Sequence, residues 1–299
     1  MSVIATQAAS TMSDAASQRS GIVEYRPETV RKRRWRRSKA VTVVLPSVLS
    51  LAGGLLVWTF VAVVVFEGRS FLLPSPWVVL TESLLDPEQL GIMLTALGAT
   101  ALVAVVGLAL SFVVALVIAV MMSQTVFFER IIYPYAVILQ TIPVLALIPL
   151  IGMLFGYGTE SRVIICVLIA TFPLIANTLF GLQSVEPGLH ELFTMRRATR
   201  FERLFMLQFP AALPSIFTGL TTASALAVVG AIVSDMYFTQ GTPGIGTLLR
   251  IYTSTLQTTD LFAAIAVASA FGMVVFWSFT ALNRWVVGSW HASGAGARS

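Results

Sequence analysis

Apolar residues in this chain come in long unbroken blocks, not at the alternating spacing of a strand or in the single stripe of a surface helix. Residues 40–66, 89–128, 131–159, 163–185, 204–234 and 261–283 contain no Asp, Glu, Lys or Arg. Each exceeds the roughly 20 residues that cross a hydrocarbon core about 30 Å thick. The pattern predicts an all-α polytopic membrane protein with about six spanning helices, near 41–66, 96–122, 131–155, 163–182, 213–237 and 262–282. Between the first two, Leu73-Pro74-Ser75-Pro76 followed by Glu82, Asp86 and Glu88 suits a short amphipathic piece at the outer surface. Between the last two, Gly241-Thr242-Pro243-Gly244-Ile245-Gly246 suits a turn, because glycine permits positive φ and proline fixes the chain.

Composition agrees with the pattern. Of 299 residues, 57% are hydrophobic and 11% charged, where a soluble domain carries about 25% charged residues. Little remains outside the bilayer for a separate soluble catalytic domain, so the chain is expected to divide into a disordered basic cytoplasmic tail (1–39), a transmembrane domain (40–290) and a short C-terminal tail (291–299).

The net charge of +5 is local in origin: Arg19, Arg26, Arg31, Lys32, Arg33, Arg34, Arg36, Arg37 and Lys39 all precede the first apolar block. Directly before a span, this run fits a cytoplasmic anchor on anionic lipid better than a nucleic-acid patch, and no nucleic-acid partner is expected. With six crossings and the N-terminus inside, sixteen cations fall on the inner side and three (Arg69, Arg162, Arg250) on the outer side. The positive-inside rule therefore predicts both termini in the cytoplasm.

Scarcity of reactive groups narrows the chemistry. The only lysines, Lys32 and Lys39, follow no glycine-rich loop, so there is no phosphate-cradling nucleotide site. His190 and His291 stand apart from Cys166 and from paired carboxylates, and neither a metal nor a cofactor is expected. No catalytic residues are assigned. If ATP drives this protein, another chain must hydrolyse it.

The most charged inner segment after the tail is 183–212. Its apolar residues Leu189, Leu192 and Phe193, then Phe201, Leu204 and Phe205, recur at i, i+3 and i+4, so the segment predicts two short amphipathic helices separated by a turn near Ala198-Thr199. Such a pair can rest on lipid headgroups or dock a partner protein.

This segment resembles the cytoplasmic signature E-A-A-x-x-x-G-x9-I-x-L-P of the membrane subunits of ATP-binding cassette importers with the type I fold. Glu191 opens it, Leu192 and Phe193 replace the alanines, Arg197 replaces the glycine, and Leu207-Gln208-Phe209-Pro210 closes it. An arginine uncommonly takes the positive φ that a glycine position implies. Leu73-Pro74-Ser75-Pro76, the run from Pro143 through Pro149 to Leu150, Pro210-Ala211-Ala212-Leu213-Pro214 and Pro243-Gly244-Ile245-Gly246 extend the likeness over residues 71–285. They are similar to the branch that imports nitrate, taurine, aliphatic sulfonates and thiamine-type pyrimidines. The resemblance implies a multi-pass permease of a bacterial plasma membrane, paired with a copy of itself or a sibling, served by separate ATPase subunits and an extracytoplasmic solute-binding protein. It further implies that Glu191, Leu192, Phe193, Arg197, Ala198, Arg200, Phe205 and Pro210 couple to the ATPase.

Inside the spans, the groups most costly to expose to lipid are Gln140 and Thr141, Asn177 and Thr178, and Asp235. A mid-bilayer carboxylate costs about 2.5–3.5 kcal/mol on insertion scales, so Asp235 is expected either to line the solute path or to reach the outer headgroups. Pro143, Pro149 and Pro173 free backbone carbonyls within spans, either for simple kinking or along a water-filled path. Gln140, Pro143, Asn177 and Asp235 are the path candidates. No Arg or Lys is expected within the six spans, which disfavours a fixed anion site. An ion-coupled secondary transporter is the alternative class, but it ordinarily shows repeated halves and several intramembrane ionisable groups. A membrane enzyme would need clustered acids or histidines, and Glu191 and Glu202 stand instead among arginines.

Overall fold

The computed structural model describes residues 39–66 and 71–288. The basic run before Lys39, Arg69 and the expected C-terminal tail lie outside the described residues. The chain divides into two compact units, Met1–Gly53 and Gly54–Ser299. Of the first, the described part is helical and belongs to α1 (Lys39–Phe60), which ends in a π-helical turn, Val61–Val65. The packing below is that of the second unit.

There the order is a short helix α2 (Pro76–Val79) with a π turn Leu80–Leu84, then α3 (Pro87–Gln124), α4 (Val126–Thr141), α5 (Val144–Phe155) and α6 (Thr159–Gln183). These are followed by α7 (Pro187–Met195), α8 (Arg200–Tyr237), α9 (Ile245–Ser254) and α10 (Thr258–Val287). No strand occurs among the described residues. Five helices are long and apolar enough to cross a membrane, and the bent pair α4–α5, counted as one broken span, brings the number to six.

Local chemistry sets the boundaries. Asp86 caps α3 by accepting the Glu88 N–H, and Pro87 occupies the first turn, where its missing N–H costs nothing. Thr125 caps α4 through the Phe128 N–H. The third span is not the continuous helix predicted: Pro143 holds Ile142 in an extended conformation, and α4 and α5 meet at 97°. Proline cannot donate to the preceding turn and excludes the residue before it from the α region, which accounts for the break. The second and fourth spans start earlier than predicted, at Pro87 and Thr159. Hence Arg162 belongs to a spanning helix and not to an outer loop. The outer segment is more structured than a turn, since α9 places Ile245, Leu248, Leu249 and Tyr252 on one face against Met93, Ala96, Ala263 and Ala264.

α3, α6 and α8 form the centre, packed through small side chains: Ala104, Ala115 and Ala119 from α3, Cys166 and Ala170 from α6, Ala212, Ala223, Ala227 and Ala231 from α8. In lipid there is little hydrophobic gain between helices, so close approach of backbones supplies the attraction. Gly181 shows how close: a Cβ there would press on the Ala212 backbone. α10 packs on α8, and its outer end is tied to α2 and to the preceding chain by Ser83 donating to Asp260 at 2.6 Å and Thr258 donating to the Phe71 carbonyl at 2.6 Å.

Candidate functional site: an inner helical loop, a membrane pocket and an outer ion pair

The predicted helix–turn–helix is present at 187–208, with one change. Its second helix is not separate but is the first turns of α8, running through a π turn, Leu204–Gln208, into the fifth span. The Phe209 N–H bonds the Leu204 carbonyl just before Pro210, which has no N–H to give. The chain thus runs as one helix from Arg200 into the membrane span.

α7 is stopped by backbone geometry. The Ala198 N–H bonds the Phe193 carbonyl and the Arg197 N–H bonds the Thr194 carbonyl, each at 3.0 Å, which is a Schellman closure. Arg197 takes φ +54°, so the arginine at the family's glycine position does adopt the left-handed conformation. Thr199 then starts α8 with a capping box: its hydroxyl accepts the Glu202 N–H at 3.2 Å, and the Glu202 carboxylate accepts the Thr199 N–H at 2.7 Å. Arg203 braces the two helices by donating to the Thr194 hydroxyl at 3.0 Å.

On this frame Glu191, Leu192, Arg197, Arg200, Phe205 and Pro210 are exposed, whereas Phe193 and Ala198 are half-buried. The exposed apolar residues are large: Leu192 is 51% exposed, Met195 82%, Phe201 75% and Phe205 64%. Behind α7 a polar cavity of about 510 Å³ is lined by His190, Ala198, Arg200, Arg203 and Gln208 together with the inner ends of α3 and α6.

Two of the path candidates come together in the membrane. Gln140 at the end of α4 and Asn177 on α6 line one cavity of about 420 Å³ with Val144, Phe172, Pro173 and Leu226. Pro143 does not line it but makes the bend that swings α5 away next to it. The Asn177 amide donates to the Pro173 carbonyl at 2.8 Å, which leaves its own oxygen free of that bond. No charged side chain lines this cavity.

Asp235 lies elsewhere. It is fully buried near the end of α8 opposite the helical loop at 187–208, in ion-pair contact with Arg162 at 3.2 Å. It neither reaches headgroups nor lines the Gln140–Asn177 cavity. The Thr100 hydroxyl donates a short hydrogen bond to Asp235 and accepts the Ile245 N–H at 2.8 Å. Arg162, 1% exposed, also donates to the carbonyls of Phe238, Thr242 and Gln240 at 2.8, 2.9 and 3.1 Å. The expectation of no cation within the spans fails here, because α6 extends one turn beyond its apolar block. The signal was a cation just before a span and an acid at the outer end of another. Asp235 is thus a buried acid paired with a cation.

Spans packed through small residues, a helical loop on the cation-rich side and an uncharged cavity between helices fit a polytopic transport permease. The chain belongs to the family of binding-protein-dependent transport system inner membrane components, which matches residues 107–288. It is 36% identical to the formylaminopyrimidine transport permease protein ThiX of Halalkalibacterium halodurans over 209 residues, 70% of this chain and 82% of that protein. It is 33% identical to the riboflavin transport system permease protein RibX of Chloroflexus aurantiacus over 165 residues, 55% of this chain and 60% of that one. To the taurine transport system permease protein TauC of Escherichia coli it is 28% identical over 266 residues, 87% and 94%. The chain is thus a multi-pass permease of a bacterial plasma membrane.

Proposed function

We propose that this chain is the path-forming permease subunit of an ATP-driven importer, paired with a second copy or a sibling permease, and that α7 with the first turns of α8 seats in a separate ATPase subunit. The exposed apolar side chains Leu192, Met195, Phe201 and Phe205 carry this reading. Exposed apolar patches on an otherwise polar surface mark interaction sites. Here they sit on two braced helices, the second of which is continuous with a span, so seating them in a moving partner transmits a rigid-body shift to the fifth span. Glu191, Arg197 and Arg200 form the polar rim, and Pro210 marks where the loop joins the membrane helix. ATP hydrolysis belongs to the partner. Membership of the binding-protein-dependent permease family supports this reading over an ion-coupled mechanism.

The solute proposed is a small nitrogen heterocycle such as a pyrimidine vitamin precursor. The cavity beside Pro143 offers the amides of Gln140 and Asn177 and the ring of Phe172 without a cation, a set suited to the hydrogen-bonding edge and flat face of a heterocycle and poorly suited to a sulfonate or nitrate. Similarity to ThiX and RibX points the same way. Uptake into vesicles containing the permease, its ATPase and its binding protein tests this. A formylaminopyrimidine is expected to be taken up with ATP and taurine is not, with Gln140→Leu and Asn177→Leu each lowering the rate about tenfold, the loss expected for unpaired polar solute edges. Uptake driven by an ion gradient without ATP would overturn the importer reading.

A further inference from the structure

At the end of the molecule opposite the coupling loop, residues 238–242 run from α8 towards α9. Phe238 is fully buried, while the side chains of Thr239, Gln240, Thr242 and Pro243 are exposed. The backbone beneath them is bound inwards. The Arg162 guanidinium donates from Nε to the Phe238 carbonyl, from Nη1 to the Thr242 carbonyl and from Nη2 to the Gln240 carbonyl. The Gln240 N–H is held by the Tyr157 carbonyl at 3.0 Å. Gly241, at φ +91°, makes the turn between them.

Asp235 completes the arrangement. It compensates the charge of Arg162 in a site from which water is excluded, and through Thr100 it reaches the first turn of α9. The glycines of Pro243-Gly244-Ile245-Gly246 are required by this packing: a Cβ at Gly244 would fall on the Asp235 carboxylate and one at Gly246 on the Ile232 carbonyl. Four helices and two connecting segments thus meet around one ion pair, and the exposed product is a short crest with fixed backbone and outward side chains. A fixed loop loses little entropy on binding, which is the condition for an efficient docking edge.

We infer that Arg162, held by Asp235, is a positioning residue that shapes the 239–243 crest for contact with the solute-binding protein. On the orientation set by the cation count, the crest faces the side from which that protein delivers solute. The inference rests on the importer reading above.

The test uses the permease–ATPase complex in nanodiscs, titrated with solute-loaded binding protein while ATP hydrolysis is followed. In Arg162→Met/Asp235→Asn both charges are removed together, so no unpaired charge is left buried and the amide can still accept from Thr100. Thr242→Trp alters only the outside of the crest. Both are expected to assemble with the ATPase and keep the basal rate, while the binding-protein concentration for half-maximal stimulation rises about tenfold or more through lost preorganisation or shape. Stimulation of either variant at the wild-type concentration overturns the inference, as does a double variant that fails to assemble, which would make the pair a folding element. A wild-type complex that binding protein does not stimulate would count against the importer reading itself.

Discussion

Arg162 on α6 and Asp235 on α8 face each other at 3.2 Å with 1% and 0% of their side-chain surfaces exposed. Neither residue has a route to water, so the pair behaves as a unit: breaking it strands a charge, whereas removing both members does not. Asp235→Ala is expected to destabilise the chain by about 3–5 kcal/mol, and Arg162→Met/Asp235→Asn by clearly less. Thermal unfolding of the detergent-solubilised protein, with the two variants run side by side, measures the difference. Equal losses would show that the charges do not act as a pair.

The outer glycines make a steric prediction. Gly244→Ala and Gly246→Ala each place a methyl group where backbone or carboxylate already stands, and overpacking of a fixed site costs about 1–3 kcal/mol or more. By contrast, Gly98→Ala meets open space and is expected to leave stability unchanged or slightly raised, because alanine favours helix. Melting temperatures of the three variants should therefore separate into two groups.

Much of the fold follows from side-chain character alone. The apolar blocks give the spans, and the i, i+3, i+4 spacing of Leu189, Leu192 and Phe193 gives α7. What escaped is what depends on a partner distant in sequence. Arg162 reads as a loop cation because its neighbours in the chain are polar, and only Asp235 and three carbonyls at 238–242 make it a buried one. The continuity of the loop with the fifth span depends on a π turn that Pro210 permits without requiring. The break at Pro143 was visible as a proline, but the packing of Ile148 and Ile151 of α5 against Ile165 and Phe238 joins residues too distant in sequence to be read from it. The spacing of Ile245, Leu248, Leu249 and Tyr252 carries α9, but the glycine turn before it carries an equally strong loop signal.

The turn between α7 and α8 contains a left-handed arginine. Arg197→Gly removes a backbone penalty of about 1 kcal/mol and is expected to slow hydrogen exchange of the Arg197 and Ala198 amides, whereas Arg197→Val should speed it. Thr199→Ala removes the cap of α8 and costs about 1 kcal/mol locally. Exchange measured by mass spectrometry over residues 187–208 reads all three. Faster exchange in Arg197→Gly would contradict the Schellman closure.

Pro143 should be the determinant of the broken span. Pro143→Ala restores a backbone donor and relaxes the restriction on Ile142, so the angle between α4 and α5 is expected to open. Spin labels at Tyr135 and Met153, both exposed, report this as a longer distance. An unchanged distance would assign the bend to packing of α5 alone.

The most direct test of the central claim is co-purification with the ATPase. Wild-type permease is expected to carry the ATPase through affinity capture and size exclusion. Leu192→Asp and Phe205→Asp, which place charge in the exposed apolar surface without touching a span, should each release it while the permease itself stays monodisperse. Retention of the ATPase by both variants at wild-type stoichiometry would contradict the docking role of α7 and α8.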